Sequence, residues 1–327
     1  LDERGGGKKI EDTQDNNDYL KYFYLFFMVS FILLLITKNI YCADKSTIEE
    51  KPVAVMIGNS PDEWSVQKGL SKAEIVYEIA VEFPFTRFVA FFLGDIETVV
   101  GPVRSSRYYF SRICAEWAAI FAHCGGQNLK NRKVLDIDQM NYPSPFWRDK
   151  NIGGWINLFV NPAKLRDEAS KQNKSVSDNQ NTHHLLNFRK SDMNNWAQIR
   201  KITIKYHADY IVSYEYHNDE KRYYRYINQK PHMDQGNHEQ IKVSNIIIQY
   251  SLIEKIDSDD LGRVRVELIG EGNGRVFYEG TYQLVKWVKK NKDEQTFFLN
   301  KEGSPIMYTQ GTTWIHLLPP ESEMWFK

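Results

Sequence analysis

The sequence predicts a mixed α/β sandwich domain followed by a β-rich antiparallel domain, an α+β or α/β chain overall, and three observations carry that expectation. Short apolar or alternating runs bounded by turn residues recur from Lys51 to the C-terminus, which is the grammar of half-buried strands. Helix-opening signals are confined to the first half, at Gly101-Pro102 and Asn161-Pro162. Aromatic residues make up 14% of the chain and crowd the strand-like runs, where large side chains suit a sheet face.

The chain of 327 residues has room for about two ordinary domains besides its N-terminus. Lys+Arg and Asp+Glu balance at 42 each, so no global field draws in nucleic acid, and electrostatic recognition has to be local. Residues 1–18 are glycine-rich and charged, with too little apolar surface for a core, and are expected to be disordered. The chain opens on Leu1 rather than Met, as a non-standard start or a fragment does.

Residues 19–41 follow as a signal peptide or transmembrane anchor. The uncharged run Tyr22–Ile36 lies between Lys21 and Lys38. It is shorter than the roughly 20 residues of a comfortable span, although a snorkelling Lys21 extends it. The length fits a signal-peptide h-region slightly better, whereas Tyr41 and Cys42 are poor residues for a peptidase site, so a cleaved signal and an uncleaved anchor both stay open. A membrane is therefore one expected partner, and the rest of the chain is placed on the extracytoplasmic face. Cys42 stands where a lipoprotein carries its acylated cysteine, yet Asn39, Ile40 and Tyr41 make a weak lipidation signal.

Ordered structure begins near residue 50, and the predicted domains cover 50–190 and 195–320. Pro52–Ile57 reads as a buried strand. Ile75–Val81 alternates, Pro84 breaks it, and Thr86–Leu93 returns, so a hairpin is predicted in which Arg87 faces Glu78 or Glu82. Gly101-Pro102 opens a predicted helix through about Ala118, and Ala119–His123 is a short strand. Asn161 is an N-cap before Pro162 and a helix over 163–171. Residues 172–181 are a polar linker, and from about Trp196 nine strand-like runs follow at regular spacing.

Cysteine chemistry is sparse. Cys114 falls on the predicted helix as a small buried hydrophobe, and Cys124 lies in a loop beside His123. His183-His184 has no neighbouring ligands, so no metal site and no cofactor are expected.

The candidate ligand site gathers polar residues at strand ends and at the start of the 101–118 helix: Asn59, Arg104, Ser105, Arg107 and His123. Ligands of open α/β sheets bind outside the carboxyl ends of strands, and Arg148 and Asp149 are placed to close the same crevice. Two arginines at a helix start, already partly positive, call for solvent, a nearby carboxylate or a bound anion.

The chain resembles the YerB-like lipoprotein family, a bacterial two-domain family of unknown function, over about 51–319. The resemblance rests on PVAVMIGN (52–59), GLSKAEIVYEIAVE (69–82), TRFVAFFL (86–93), GPVRSSR (101–107), AIFAHCGG (119–126), FWRDK (146–150) and INLFVN (156–161). In the second half VSYEY, INQKPHMD, IIIQY, ELIGEGNGRVFYEG and GTTWIHLLP carry it. It implies an α/β first domain, a β-rich second domain, an envelope location and no established catalysis. The family's pattern has an acid where Gly58 stands, glycines at Phe83 and Pro84, and a Pro-His pair at Trp155 and Ile156. An acid and a histidine are thus missing while both arginines remain, which favours recognition over acid/base chemistry.

Three functions compete. The first is an anchored extracytoplasmic binding or accessory protein holding an envelope polymer, peptide or protein partner at the GPVRSSR segment. An envelope hydrolase would use His123 as base with Glu78, Glu82 or Asp149, although GxSxG, HExxH, Walker and Rossmann patterns are absent. A scaffold would use Tyr214, Tyr216, Tyr223, Tyr224 and Tyr226 as a stacking platform.

Overall fold

A computed structural model describes residues 51–94, 96–126, 134–172, 185, 187–189, 199–257, 259–292 and 294–327. The expected disorder of 1–18, the segment 19–41, Cys42, linker residues 173–181 and His183-His184 lie outside the described residues. Among the described residues no helix is long and apolar enough to cross a membrane.

A ten-stranded mixed sheet dominates. Its spatial order is Phe297–Leu299, Thr281–Lys289, Gly270–Tyr278, Asn245–Tyr250, Thr313–Leu318, Ile75–Ala80, Thr86–Phe92, Val53–Asn59, Ile120–His123 and Leu135–Asp138. The central Thr313–Leu318 strand runs parallel to both Asn245–Tyr250 and Ile75–Ala80, so strands from both halves share one sheet. The second half is therefore not purely antiparallel as expected. TWIHLL explains the position, because it is buried at all six residues, as a strand covered on both faces requires. Trp314 and Leu318 belong to one apolar cluster, and Ile315 and Leu317 to the other.

The helix Tyr108–Glu116 contributes Tyr109, Phe110, Ile113 and Cys114 to the second cluster. The first cluster joins the large sheet to the helix Pro162–Lys171 and to an antiparallel sheet containing Lys201–His207, Tyr210–His217 and Arg222–Ile227. Asn161 caps its helix as expected, accepting a hydrogen bond from the Ala163 N–H at 2.9 Å. The predicted hairpin is present, Ile75–Ala80 against Thr86–Phe92.

One helix boundary differs. The expected helix from 101 to 118 spans only Tyr108–Glu116, so Arg107 is its N-cap and Arg104 lies outside it. Residues 100–106 are extended instead: Val100 bridges Val160, Gly101 bridges Lys68, Val103 bridges Ile57 and Ser106 bridges Gly126. Val100 and Val103 are buried in the process, and two buried valines plus four backbone bridges outweigh a local preference for proline in a first helical turn. The short strands Leu135–Asp138, Phe146–Arg148 and Glu323–Phe326 escaped the sequence reading because three or four residues carry little periodicity.

Candidate functional site

The extended 100–106 segment delivers Arg104 to the side of the short helix Pro61–Trp64, and its partner there is an internal carboxylate. Arg104 Nε pairs with Glu63, whose side chain is 3% exposed, and Arg104 Nη1 donates to the Trp155 carbonyl at 3.1 Å. The guanidinium lies over the Trp155 ring, 3.4 Å from its centroid. Arg104 Nη2 is buried without a hydrogen-bond partner. Burial lowers the Arg104 pKa, and Glu63 opposes the shift.

Arg107 pairs with Glu82 through Nη2 and donates from Nη1 to the Ser106 carbonyl at 2.6 Å. The other Glu82 oxygen accepts from Arg87 at 3.1 Å, and Arg87 Nη1 donates to the Ser105 carbonyl at 2.7 Å. The helix-start argument for an anion is therefore corrected: Arg104 is off the helix, and Glu63 and Glu82 already offset both guanidinium groups.

Glu63 also accounts for the glycine at position 58. A Cβ built at Gly58 would fall 1.9 Å from Glu63 Oε1, so the Glu63 carboxylate fills the space a side chain at 58 would take. The Glu63 carboxylate also accepts from the Ser60 N–H at 2.6 Å and the Ser60 hydroxyl at 2.9 Å.

Between the two ion-pair groups lies a hollow of about 500 Å³. Glu63 and Arg104 line it on one side, Glu82 and Arg87 on another, with Phe85 and Trp155 as apolar walls. Phe85 is 43% and Trp155 61% exposed, both high for aromatic side chains. A second hollow of about 470 Å³ shares Pro61, Asp62 and Trp155 with the first and is bounded by Gly153 and Gly154.

Of the predicted site residues, Arg104 lines the first hollow. Asn59 is buried among polar side chains, donating to the Thr86 hydroxyl at 2.7 Å. Arg148 donates to Asn157 Oδ1 at 2.8 Å, and Asp149 lies 3.9 Å from the Lys68 ammonium. His123 is buried, with Nε2 2.8 Å from Asp136 Oδ1 and Nδ1 3.0 Å from the Gly125 carbonyl. Both ring nitrogens lie within hydrogen-bond distance of internal oxygens and the side chain is buried, so neither nitrogen is open to a substrate proton. The carboxylate paired with His123 is Asp136, whereas Glu82 pairs with Arg87 and Arg107, Asp149 with Lys68, and Glu78 with Arg225.

Sequence reasoning missed a sealed polar network below the hollow. Glu78 and Arg225, both 0% exposed, pair at 2.9 Å. Glu78 Oε1 also accepts from the Thr86 hydroxyl at 3.0 Å, from Asn59 and from Tyr210. Arg225 donates to the Tyr214 hydroxyl at 3.2 Å and to His232 Nδ1, and His232 Nε2 then donates to Gln67 Oε1 at 2.6 Å. That pattern fixes a neutral imidazole, since arginine can only donate. The two nitrogens of His316 bond the Tyr206 and Tyr214 hydroxyls at 2.7 and 2.8 Å. Burial, reinforced by Arg225, holds both histidines well below the usual imidazole pKa. The available signal was a charged or imidazole side chain inside a strand run: Glu78 in IVYEIA, Arg225 in RYYRYI, His316 in TWIHLL.

The proposed tyrosine platform has no exposed ring. Tyr214 and Tyr223 are in the core, and Tyr216, Tyr224 and Tyr226 are half-buried. Tyr216 packs on Tyr223 at 4.9 Å, and Tyr224 on His217 at 4.0 Å.

A family model described as protein of unknown function (DUF3048) N-terminal domain matches residues 40–175, and one for the DUF3048 C-terminal domain matches 202–315. The chain is 28% identical over 286 residues to the Bacillus subtilis (strain 168) protein named "Putative lipoprotein YerB", covering 84% of this chain and 83% of that one. The crystal structure of the YerB protein from Bacillus subtilis is similar in fold, with a TM-score of 0.72 at 24% identity over 86% of this chain and 97% of that one.

Proposed function

We propose, for a chain that belongs to the YerB-like DUF3048 family, an extracytoplasmic, membrane-anchored binding or accessory protein whose ligand enters the hollow between the Glu63–Arg104 and Glu82–Arg87 pairs. The observation that carries the reading is the hollow itself: about 500 Å³, within the range of small-ligand sites, with two exposed aromatic walls and convergent charged groups. The residues around it are recognition groups. The guanidinium groups stay protonated, and the histidine of the predicted site has both nitrogens occupied.

The apolar run Tyr22–Ile36 supports attachment at the N-terminus, and the lipoprotein name of the Bacillus subtilis relative supports the envelope as the address. Cys42 is a second, weaker route of attachment through lipidation. Protease added outside intact spheroplasts should then digest the folded part, and complete protection would refute the location.

Binding is tested by sedimentation of the purified protein with cell-wall fragments. The wild type should co-sediment, and the Trp155→Ala, Phe85→Ala double variant should stay in the supernatant with an unchanged unfolding midpoint. Equal co-sedimentation of both proteins, or none by the wild type, would remove the hollow from the function.

A further inference from the structure

The charges around the hollow cancel, and the cancellation constrains what can enter. Asp62, Glu63, Glu82, Arg87 and Arg104 line the hollow, Arg107 neutralises Glu82 from outside the lining, and five of these six side chains, all but Asp62, are already paired with one another. An anion arriving here gains little from the field, because each guanidinium already has its carboxylate close by. A zwitterion would have to break the Arg–Glu pairs and leave Glu63, 3% exposed at its side chain, without its cation, a loss characteristic of buried ion pairs.

A hydroxyl group has neither problem. It donates and accepts at once, so vicinal hydroxyls can lie across an existing Arg–Glu pair, accepting from an N–H of one partner and donating to a free carboxylate lone pair of the other. The walls add a second requirement. Trp155 has one ring face under Arg104 and is still 61% exposed, and Phe85 is 43% exposed, so apolar ring surface is presented beside the polar floor. The C–H faces of a sugar ring cover such surface while its edge carries hydroxyls. Finally, Trp155, Pro61 and Asp62 are common to both hollows, which extends the site past the space of one sugar residue.

We propose that the paired hollows flanking Trp155 bind an uncharged glycan of at least two sugar residues, one ring packed on Trp155 and its hydroxyls bridging the Glu63–Arg104 and Glu82–Arg87 pairs. The ligand class rests on the hollow being the binding place of the proposed function.

The test is calorimetric titration of the full chain with N-acetylglucosamine tetramer and with glucose tetramer, alongside polyglutamate and tri-alanine. At least one neutral tetramer should bind saturably, with an affinity that does not change between low and high salt and that falls about tenfold or more in Trp155→Ala. Glu82→Gln keeps the shape and removes a charge-assisted acceptor, so it should weaken the same tetramer while circular dichroism stays native. Binding of polyglutamate or tri-alanine in place of the neutral tetramers overturns the ligand class and leaves the binding reading of the hollow intact. Tetramer binding that survives Trp155→Ala overturns the location. If neither tetramer binds while wall fragments still co-sediment with the wild type alone, the glycan proposal is refuted and the binding reading stands; if the fragments fail as well, both fall.

Discussion

Replacing Arg225 with methionine keeps much of the apolar stem and removes the guanidinium paired with Glu78, so it isolates the worth of the sealed ion pair. In the native chain both side chains are 0% exposed and 2.9 Å apart. Without the guanidinium, Glu78 keeps Thr86, Asn59 and Tyr210 as neutral donors, and His232 and Tyr214 each lose a donor. Breaking a buried pair from one side costs about 3–5 kcal/mol. With a urea m-value near 3 kcal/mol/M, that lowers the unfolding midpoint by about 1–1.7 M. Glu78→Leu should cost a similar amount from the other side. The double variant leaves neither charge stranded, so its loss should fall short of the two single losses by about 2 kcal/mol. The assay is equilibrium urea unfolding followed by tryptophan fluorescence, which Trp314, packed 4.6 Å from the Arg225 guanidinium, should report. Single variants within about 0.3 M of the wild-type midpoint, or a strictly additive double variant, would refute the claim that the pair is energetically coupled in the core.

His232 and His316 are neutral in the folded chain, with pKa values lowered by burial and by Arg225. Below an unfolded pKa of about 6.5 the unfolded state binds more protons, so the stability they lend is complete above that pH and is lost as pH falls toward their folded values, at up to about 1.4 kcal/mol per pH unit for each. Urea midpoints from about pH 7 to about pH 5.5 should therefore decrease, and a flat profile would contradict neutral buried imidazoles. Gly58→Asp alone should destabilise by about 1–3 kcal/mol, because its side chain meets the Glu63 carboxylate. Adding Glu63→Ala should restore most of the loss by letting Asp at 58 face Arg104, and a double variant worse than both singles would show that the two positions do not exchange the acid. Peptide mapping after alkylation should find Cys124 labelled in the native protein and Cys114 labelled only in denaturant, since Cys114 is fully buried and burial raises its pKa well above the ordinary thiol value. Native labelling of Cys114 would mean that the Tyr108–Glu116 helix opens far more easily than its packing implies.

Features fixed within a few residues were legible in the sequence. The hairpin of Ile75–Ala80 and Thr86–Phe92 follows from alternation and a proline break, and the Arg87–Glu82 pair follows from the hairpin. The Asn161 cap follows from one dipeptide. Features set by distant partners were not. Nothing local to TWIHLL says that it inserts beside Ile75–Ala80, and nothing in GPVRSSR says that Val100 and Val103 will be drawn into bridges that hold the helix back to Tyr108.

The same distinction separates the arginines from their partners. GPVRSSR marks a concentration of positive charge, but whether that charge waits for a ligand depends on carboxylates from elsewhere: Glu63 from the Pro61–Trp64 helix and Glu82 from beyond the Ile75–Ala80 strand. Once both are in place, the electrostatic demand that two adjacent arginines create is met inside the molecule, and what remains open is shape and hydrogen-bonding capacity. Thr86 connects that opening to the core, since it lines the hollow while its hydroxyl donates to Glu78. A ligand at the hollow thus sits one side chain from the ion pair joining the two halves, while the pairing of Val53–Asn59 with Thr86–Phe92, which sets Gly58 opposite Arg87 and Asn59 opposite Thr86, fixes the Glu82–Arg87 side of the hollow against the chain leading to Glu63.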